Sequence, residues 1–83
     1  MNLYKIYLKE NGTYRKLKNN YSARSMIAIL HNLIANNYPE DILVIERNEE
    51  TDTDYPVYLY HGNTPQLNES LEELEENIKK RRR

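Results

Sequence analysis

The chain has 83 residues, 12 Lys/Arg against 13 Asp/Glu for a net charge of −1, and no cysteine. That length is the size of one domain, and a single core of this size supplies only ~3–5 kcal/mol net. Without cysteine there is no disulfide or thiolate metal site to add to it. The absence of cysteine fits a reducing compartment. Residues Met1-Asn2-Leu3-Tyr4-Lys5 lack the apolar region of a signal peptide, and no stretch approaches the ~18 apolar residues of a membrane span. The expected location is the cytoplasm, with no membrane partner.

Asn2 to Lys9 reads as a strand, with Tyr4, Ile6 and Leu8 on one side and Leu3, Lys5, Tyr7 and Lys9 on the other. Asn11-Gly12 follows between two strand-like runs, a type I′ hairpin signal because both residues tolerate positive φ. A two-residue loop sets the register, with Glu10 facing Thr13, Lys9 facing Tyr14, Leu8 facing Arg15, Tyr7 facing Lys16 and Ile6 facing Leu17. Ser22 is a helix N-cap, and Asn36-Asn37-Tyr38-Pro39 is a stop. Between them Met26, Ile27, Leu30, Leu33 and Ile34 recur at helical spacing. Asp41 to Arg47 is a strand that is apolar on both faces, which marks a central position. Asn48 to Asp54 reads as an acidic loop and Tyr55 to Tyr60 as the return strand, placed at an edge because Pro56 cannot donate to a ladder. Residues 61–65 read as a loop. Ser70 to about Lys80 reads as a final helix with Ser70 and Glu73 as a capping box and Glu75–Lys79 and Glu76–Lys80 as i,i+4 pairs. A basic tail runs from Lys79 to Arg83.

The expected fold is therefore one α+β domain over residues 1–83, ordered β-β-α-β-β-α. Its four-stranded antiparallel sheet has the order 2-1-3-4, with one helix packed on a face and a second at the C-terminus. The first helix is expected over Ile6, Leu8, Leu17, Val57 and Leu59. The reverse face is expected to carry Leu3, Tyr7, Tyr14, Tyr58 and Tyr60 with one side of the third strand. Whether the last helix covers that reverse face through Leu71, Leu74 and Ile78 is open at this stage.

Charge and aromatic residues are unevenly distributed. Residues 1–30 hold six Lys/Arg against Glu10 alone, whereas residues 31–60 hold seven acids, Glu46 among them, against Arg47 alone. Such polarity favours an oriented contact or a self-contact over bulk phosphate attraction. There are eight Tyr, no Phe and no Trp. Tyrosine suits half-wet positions and interfaces, although an AT-rich gene produces the same bias.

No catalytic or metal-binding constellation is visible. His31 and His61 are the only histidines and no His-x-x-x-His pair occurs, so a zinc site lacks ligands. The run Glu49-Glu50-Thr51-Asp52-Thr53-Asp54 lacks the central Gly and terminal Glu of a calcium loop and reads as a solvated hairpin tip. Gly12 and Gly62 are the only glycines, too few for a phosphate loop. The chain is expected to be neither an enzyme nor a cofactor carrier.

Size, the missing cysteine, the hairpin Tyr4-Lys5-Ile6-Tyr7-Leu8-Lys9-Glu10-Asn11-Gly12 and the acidic second hairpin give the chain a look similar to small proteins of phages and mobile elements, anti-CRISPR and other anti-defence inhibitors included. Pro39-Glu40-Asp41-Ile42-Leu43-Val44 resembles part of a phage uracil-DNA glycosylase inhibitor, but the flanking hairpin and helix depart from it. No functional residue is carried over from either resemblance. The expected function is protein binding, in the manner of an inhibitor that occludes a host protein's surface. Tyr7, Tyr14, Tyr58 and Tyr60 are the contacts, Lys5, Lys9 and Lys16 surround them, and Glu49, Glu50, Asp52 and Asp54 form a second, acidic contact loop. A homodimer is a further option. The alternative is nucleic-acid binding, with bases stacked on the same Lys/Tyr face. Against it stand a pI of about 6.1 and the absence of RNA-recognition or KH signatures.

Overall fold

The computed structural model describes the backbone of residues 2–81 and the side chains of residues 2–80. Arg82, Arg83 and the Arg81 side chain of the basic tail lie outside the described residues. The elements are β1 (Asn2–Glu10), β2 (Thr13–Lys16), α1 (Ala23–Ala35), β3 (Ile42–Asn48), β4 (Thr53–Tyr60), a short 3-10 turn (Pro65–Leu67) and α2 (Leu71–Arg81). They form an α+β fold with a four-stranded sheet ordered β2-β1-β3-β4, antiparallel at every pairing.

Local chemistry accounts for the boundaries. Asn11 and Gly12 have φ of 51° and 81°, as a type I′ turn requires, and the hairpin register is the one the two-residue loop sets. Past β2 the strand order continues through Leu17, whose N–H donates to the Ile6 carbonyl at 2.8 Å. Tyr21 then exchanges two backbone bonds with Tyr4 at 2.7 and 2.8 Å. The Ser22 side chain accepts from the Ser25 N–H at 3.2 Å to start α1. At its end Asn37 turns left-handed at φ 56°. The N–H groups of Asn37 and Tyr38 then return to the carbonyls of Ile34 and Leu33, each at 3.0 Å, which is a Schellman closure. Ser70 Oγ accepts from the Glu73 N–H at 3.1 Å to start α2. On α2, Lys79 lies 3.8 Å from Glu75 and 3.9 Å from Glu76. Lys79 thus reaches back to Glu76, which the spacing had paired with Lys80.

Both helices lie on the same face of the sheet. Met26 and Leu30 from α1 and Leu74 and Ile78 from α2 join Tyr4, Ile6, Leu8, Ile42, Val44, Tyr58 and Tyr60 in one buried cluster. Two corrections follow. The expected exposure of Tyr58 and Tyr60 on the reverse face is wrong: they are 6% and 4% exposed, inside the core. Leu59, expected under the first helix, is 42% exposed on the other side. The reason is the β3–β4 pairing. Val44 faces Tyr58 and Ile42 faces Tyr60, and a register shift between Val44 and Ile45 brings Ile45 opposite Pro56. Val57 is then the extra residue of a bulge. The two large rings take the buried side, where they remove more apolar area from water than Val57 and Leu59 would. The β4 strand also begins at Thr53 rather than Tyr55, so Asp54 is a strand residue and not part of the turn.

The hairpin turn is pinned from below. The Glu40 carboxylate accepts from the N–H groups of Asn11 at 2.9 Å and Gly12 at 3.3 Å. Gly62 packs against the Glu40 backbone, and a Cβ there would fall 2.7 Å from both the carbonyl carbon and the amide nitrogen of Glu40. Backbone cannot yield as a flexible side chain can. Gly62→Ala is therefore expected to destabilise by ~1–3 kcal/mol, read as a lower urea midpoint. An unchanged midpoint would mean that this close approach is not needed.

Candidate interaction surface

The face opposite the helices carries four cross-strand rows, fixed by the pairing register. Tyr14 lies beside Lys9, and Lys16, Tyr7, Leu43 and Leu59 form the next row. Lys5, Ile45 and Pro56 form the third, and Leu3, Arg47 and Asp54 the last. Leu3, Tyr7, Leu43 and Ile45 are half-buried by their neighbours, and Pro56 and Leu59 are exposed. No helix among the described residues packs on this side. The apolar centre arises because β3 is apolar at four consecutive positions, Ile42 to Ile45. Alternation sends Ile42 and Val44 to the helices and Leu43 and Ile45 to the open side.

Charge on this face is arranged in two parts. At the β3–β4 turn end, Lys5 Nζ donates to Asp54 Oδ2 at 3.0 Å, Arg47 donates to Asp54 Oδ1 at 3.2 Å, and Arg47 also pairs with Asp52. The Lys5 and Arg47 hydrogen bonds hold the Asp54 carboxyl below its usual range. At the β1–β2 turn end, Lys9 Nζ sits 5.8 Å from the centroid of the Tyr14 ring, a cation–π contact. Lys16 Nζ donates to the Leu17 carbonyl at 3.2 Å. Neither lysine has a carboxylate ion pair among those described.

The sequence-predicted contacts therefore divide. Tyr7, Tyr14, Lys5, Lys9 and Lys16 share the open face. Tyr58 and Tyr60 do not; the Tyr58 hydroxyl donates to the Glu69 carbonyl at 3.0 Å, at the start of α2. Glu49, Glu50 and Asp52 are exposed in the β3–β4 turn, and Asp54 belongs to the open face through its bonds to Lys5 and Arg47. Sequence reasoning missed Leu59 and Pro56 as members of this surface. It also missed Leu67, 76% exposed in the 3-10 turn. His31 is exposed on α1, and His61 is half-buried where its N–H donates to Asn68 Oδ1 at 2.9 Å.

Among the described residues no group of three His, Asp or Glu side chains could hold a metal ion, and no helix is long and apolar enough to cross a membrane. Among the described residues, shallow clefts of about 200–210 Å³ include one between α1 and α2 lined by Ile27, Glu75 and Ile78, one beside Tyr58, Asn68 and Leu71, and one lined by Lys9, Glu40 and Asp41. The first two gather no nucleophile, base and orienting group together. No protein-family model, curated protein or solved structure matches the chain.

Proposed function

We propose that this domain is a non-enzymatic protein-binding module that works by burying its open sheet face against a protein surface. The observation that supports this reading is the placement of both helices on one side of the sheet. The other side is left with an apolar centre, Tyr7, Leu43, Ile45 and Leu59, rimmed by charge. Apolar patches with polar rims mark interaction sites, and Tyr and Leu around a central strand suit the core of an interface. The narrower reading, an anti-CRISPR-like inhibitor of a host defence protein encoded by a phage or mobile element and acting in the cytoplasm, rests on the resemblance in size, composition and hairpin sequence.

Nucleic-acid binding is the weaker reading. Burial of Tyr58 and Tyr60 leaves Tyr7 and Tyr14 as the aromatic residues of the platform, and Asp54 engages two of its cations. A single-stranded oligonucleotide is expected to show no salt-dependent affinity.

The test pairs capture with footprinting. Tagged wild-type protein and the folded variants Leu59→Glu and Tyr7→Ala are compared in the cells that express the chain. A specific protein partner is expected with the wild type and is lost, by tenfold or more in affinity, with both variants. Radical footprinting of the complex is expected to protect Tyr7, Leu43 and Leu59. A partner retained equally by both variants would reject this face.

A further inference from the structure

We propose that the occupant of the open face is a second copy of this chain, packed face to face about a two-fold axis that brings the basic corner of each copy onto the acidic corner of the other. The proposal rests on the reading of this face as a protein-binding surface and names its partner. Three observations carry it. First, Lys9 and Lys16 lie at the β1–β2 turn end next to the β2 edge. The exposed acids Glu49 and Glu50 lie at the opposite end, in the turn between β3 and the β4 edge, beside Asp52, whose carboxylate is already paired with Arg47. The strand order and pairing thus set the two charges at diagonally opposite corners of the sheet. Second, the centre between them is apolar, with Leu43 and Ile45 on the third strand of the order. Third, the net charge is only −1, so two copies meet without appreciable overall repulsion.

Symmetry then selects the geometry. In a face-to-face pair the two-fold axis lies in the contact plane, and each residue pair across it occurs twice. An axis along or across the strands places neither charged corner on its opposite. An axis through the charged corners places each on its own kind. An axis along the other diagonal exchanges the two corners, matches lysine with glutamate twice, and sets Leu43 and Ile45 near the axis. The strands of the two sheets then cross near a right angle, the orthogonal class of sheet packing.

Sedimentation equilibrium through the micromolar range tests this, with circular dichroism confirming that each variant is folded. The wild type is expected to reach twice the 10.0 kDa chain mass. Leu59→Asp is expected to stay monomeric. Lys16→Glu, and separately Glu49→Lys with Glu50→Lys, are each expected to weaken the dimer about tenfold or more at low salt. An equimolar mixture of those two variants restores the attraction at both symmetry-related contacts and is expected to recover the dimer. A wild type that stays monomeric throughout overturns the proposal. So does a dimer insensitive to Leu59→Asp, or a mixture no better than its components. If the wild type is monomeric yet Leu59→Glu still releases a captured partner, the protein-binding reading stands and only the second copy is excluded.

Discussion

Tyr58→Ala is expected to unfold the domain rather than to disarm a binding face. The ring is 6% exposed and sits opposite Val44 within the cluster that α1 and α2 cover. Truncating a buried aromatic side chain costs about 3–5 kcal/mol, which equals the whole net stability of ~3–5 kcal/mol that a core of this size supplies. Loss of cooperative thermal melting, followed by circular dichroism, checks this. A variant that melts like the wild type would place the ring outside the core. Tyr58→Phe keeps the ring and loses only the hydroxyl bond to the Glu69 carbonyl, so a loss near 1 kcal/mol is expected. The same ring gives a pH signature. Burial, with the Glu69 carboxylate adding to it, pushes the Tyr58 phenol from 10.0 to about 12. The folded state therefore favours the protonated phenol. That contribution is fully present below pH 10 and is lost as pH rises through about 12. Tyr58→Phe is expected to remove this part of the alkaline destabilisation.

The contrast between β1–β2 and β3–β4 shows what was legible. Asn11-Gly12 names its own turn type, and a two-residue loop leaves one register, so every pair from Tyr7–Lys16 to Glu10–Thr13 could be written from the sequence. Four apolar residues in β3 placed it at the centre, and Ser22, Ser70 and the Asn36-Asn37 pair marked helix ends by chemistry that acts within a few residues. The β4 strand lacks such a local signal. Val57 and Leu59 alternate with Tyr58 and Tyr60, and both sets are apolar enough for a core. Alternation reveals that two faces exist without saying which is buried. The bulge at Val57 then shifts the pairing of everything before it, carrying Pro56 and Asp54 to the open face. The thin stripe Leu71, Leu74 and Ile78 called for a support, but its location depends on which side α1 had already taken. Five of the seven Tyr and Lys contact residues were therefore placed on the open face because they sit on the hairpin, and the β4 pair, Tyr58 and Tyr60, was not.

Glu46→Ala is expected to destabilise the domain by about 1–3 kcal/mol. Counted at first among the acids of the middle segment, Glu46 is in fact fully buried, at 0% exposure. It shares the inward side of β3 with Ile42 and Val44, between Tyr4 on β1 and Tyr55 on β4. The Tyr4 hydroxyl donates to Glu46 Oε2 at 2.7 Å and Asn2 Nδ2 donates to the same oxygen at 2.9 Å. Removing the Glu46 carboxyl strips the Tyr4 hydroxyl of an acceptor inside the core, which costs more than an exposed hydrogen bond would. Urea titration checks the loss, and a change under 0.5 kcal/mol would refute it. The more discriminating variant is Glu46→Leu combined with Tyr4→Phe, which replaces this hydrogen-bonded pair by apolar groups and is expected to be more stable than Glu46→Ala. That gain would not make the pair idle. Ile42 to Ile45 present similar apolar surfaces on both faces, so a one-residue slip of β3 against β1 is weakly opposed by that run. Slipping would turn Glu46 outward and Arg47 into the core. The Tyr4–Glu46 bond thus penalises the wrong register directly, and the apolar double variant is expected to show more than one set of amide resonances for β1 and β3 where the wild type shows one. A single set in the double variant would assign register to the hairpin turn and the helices alone.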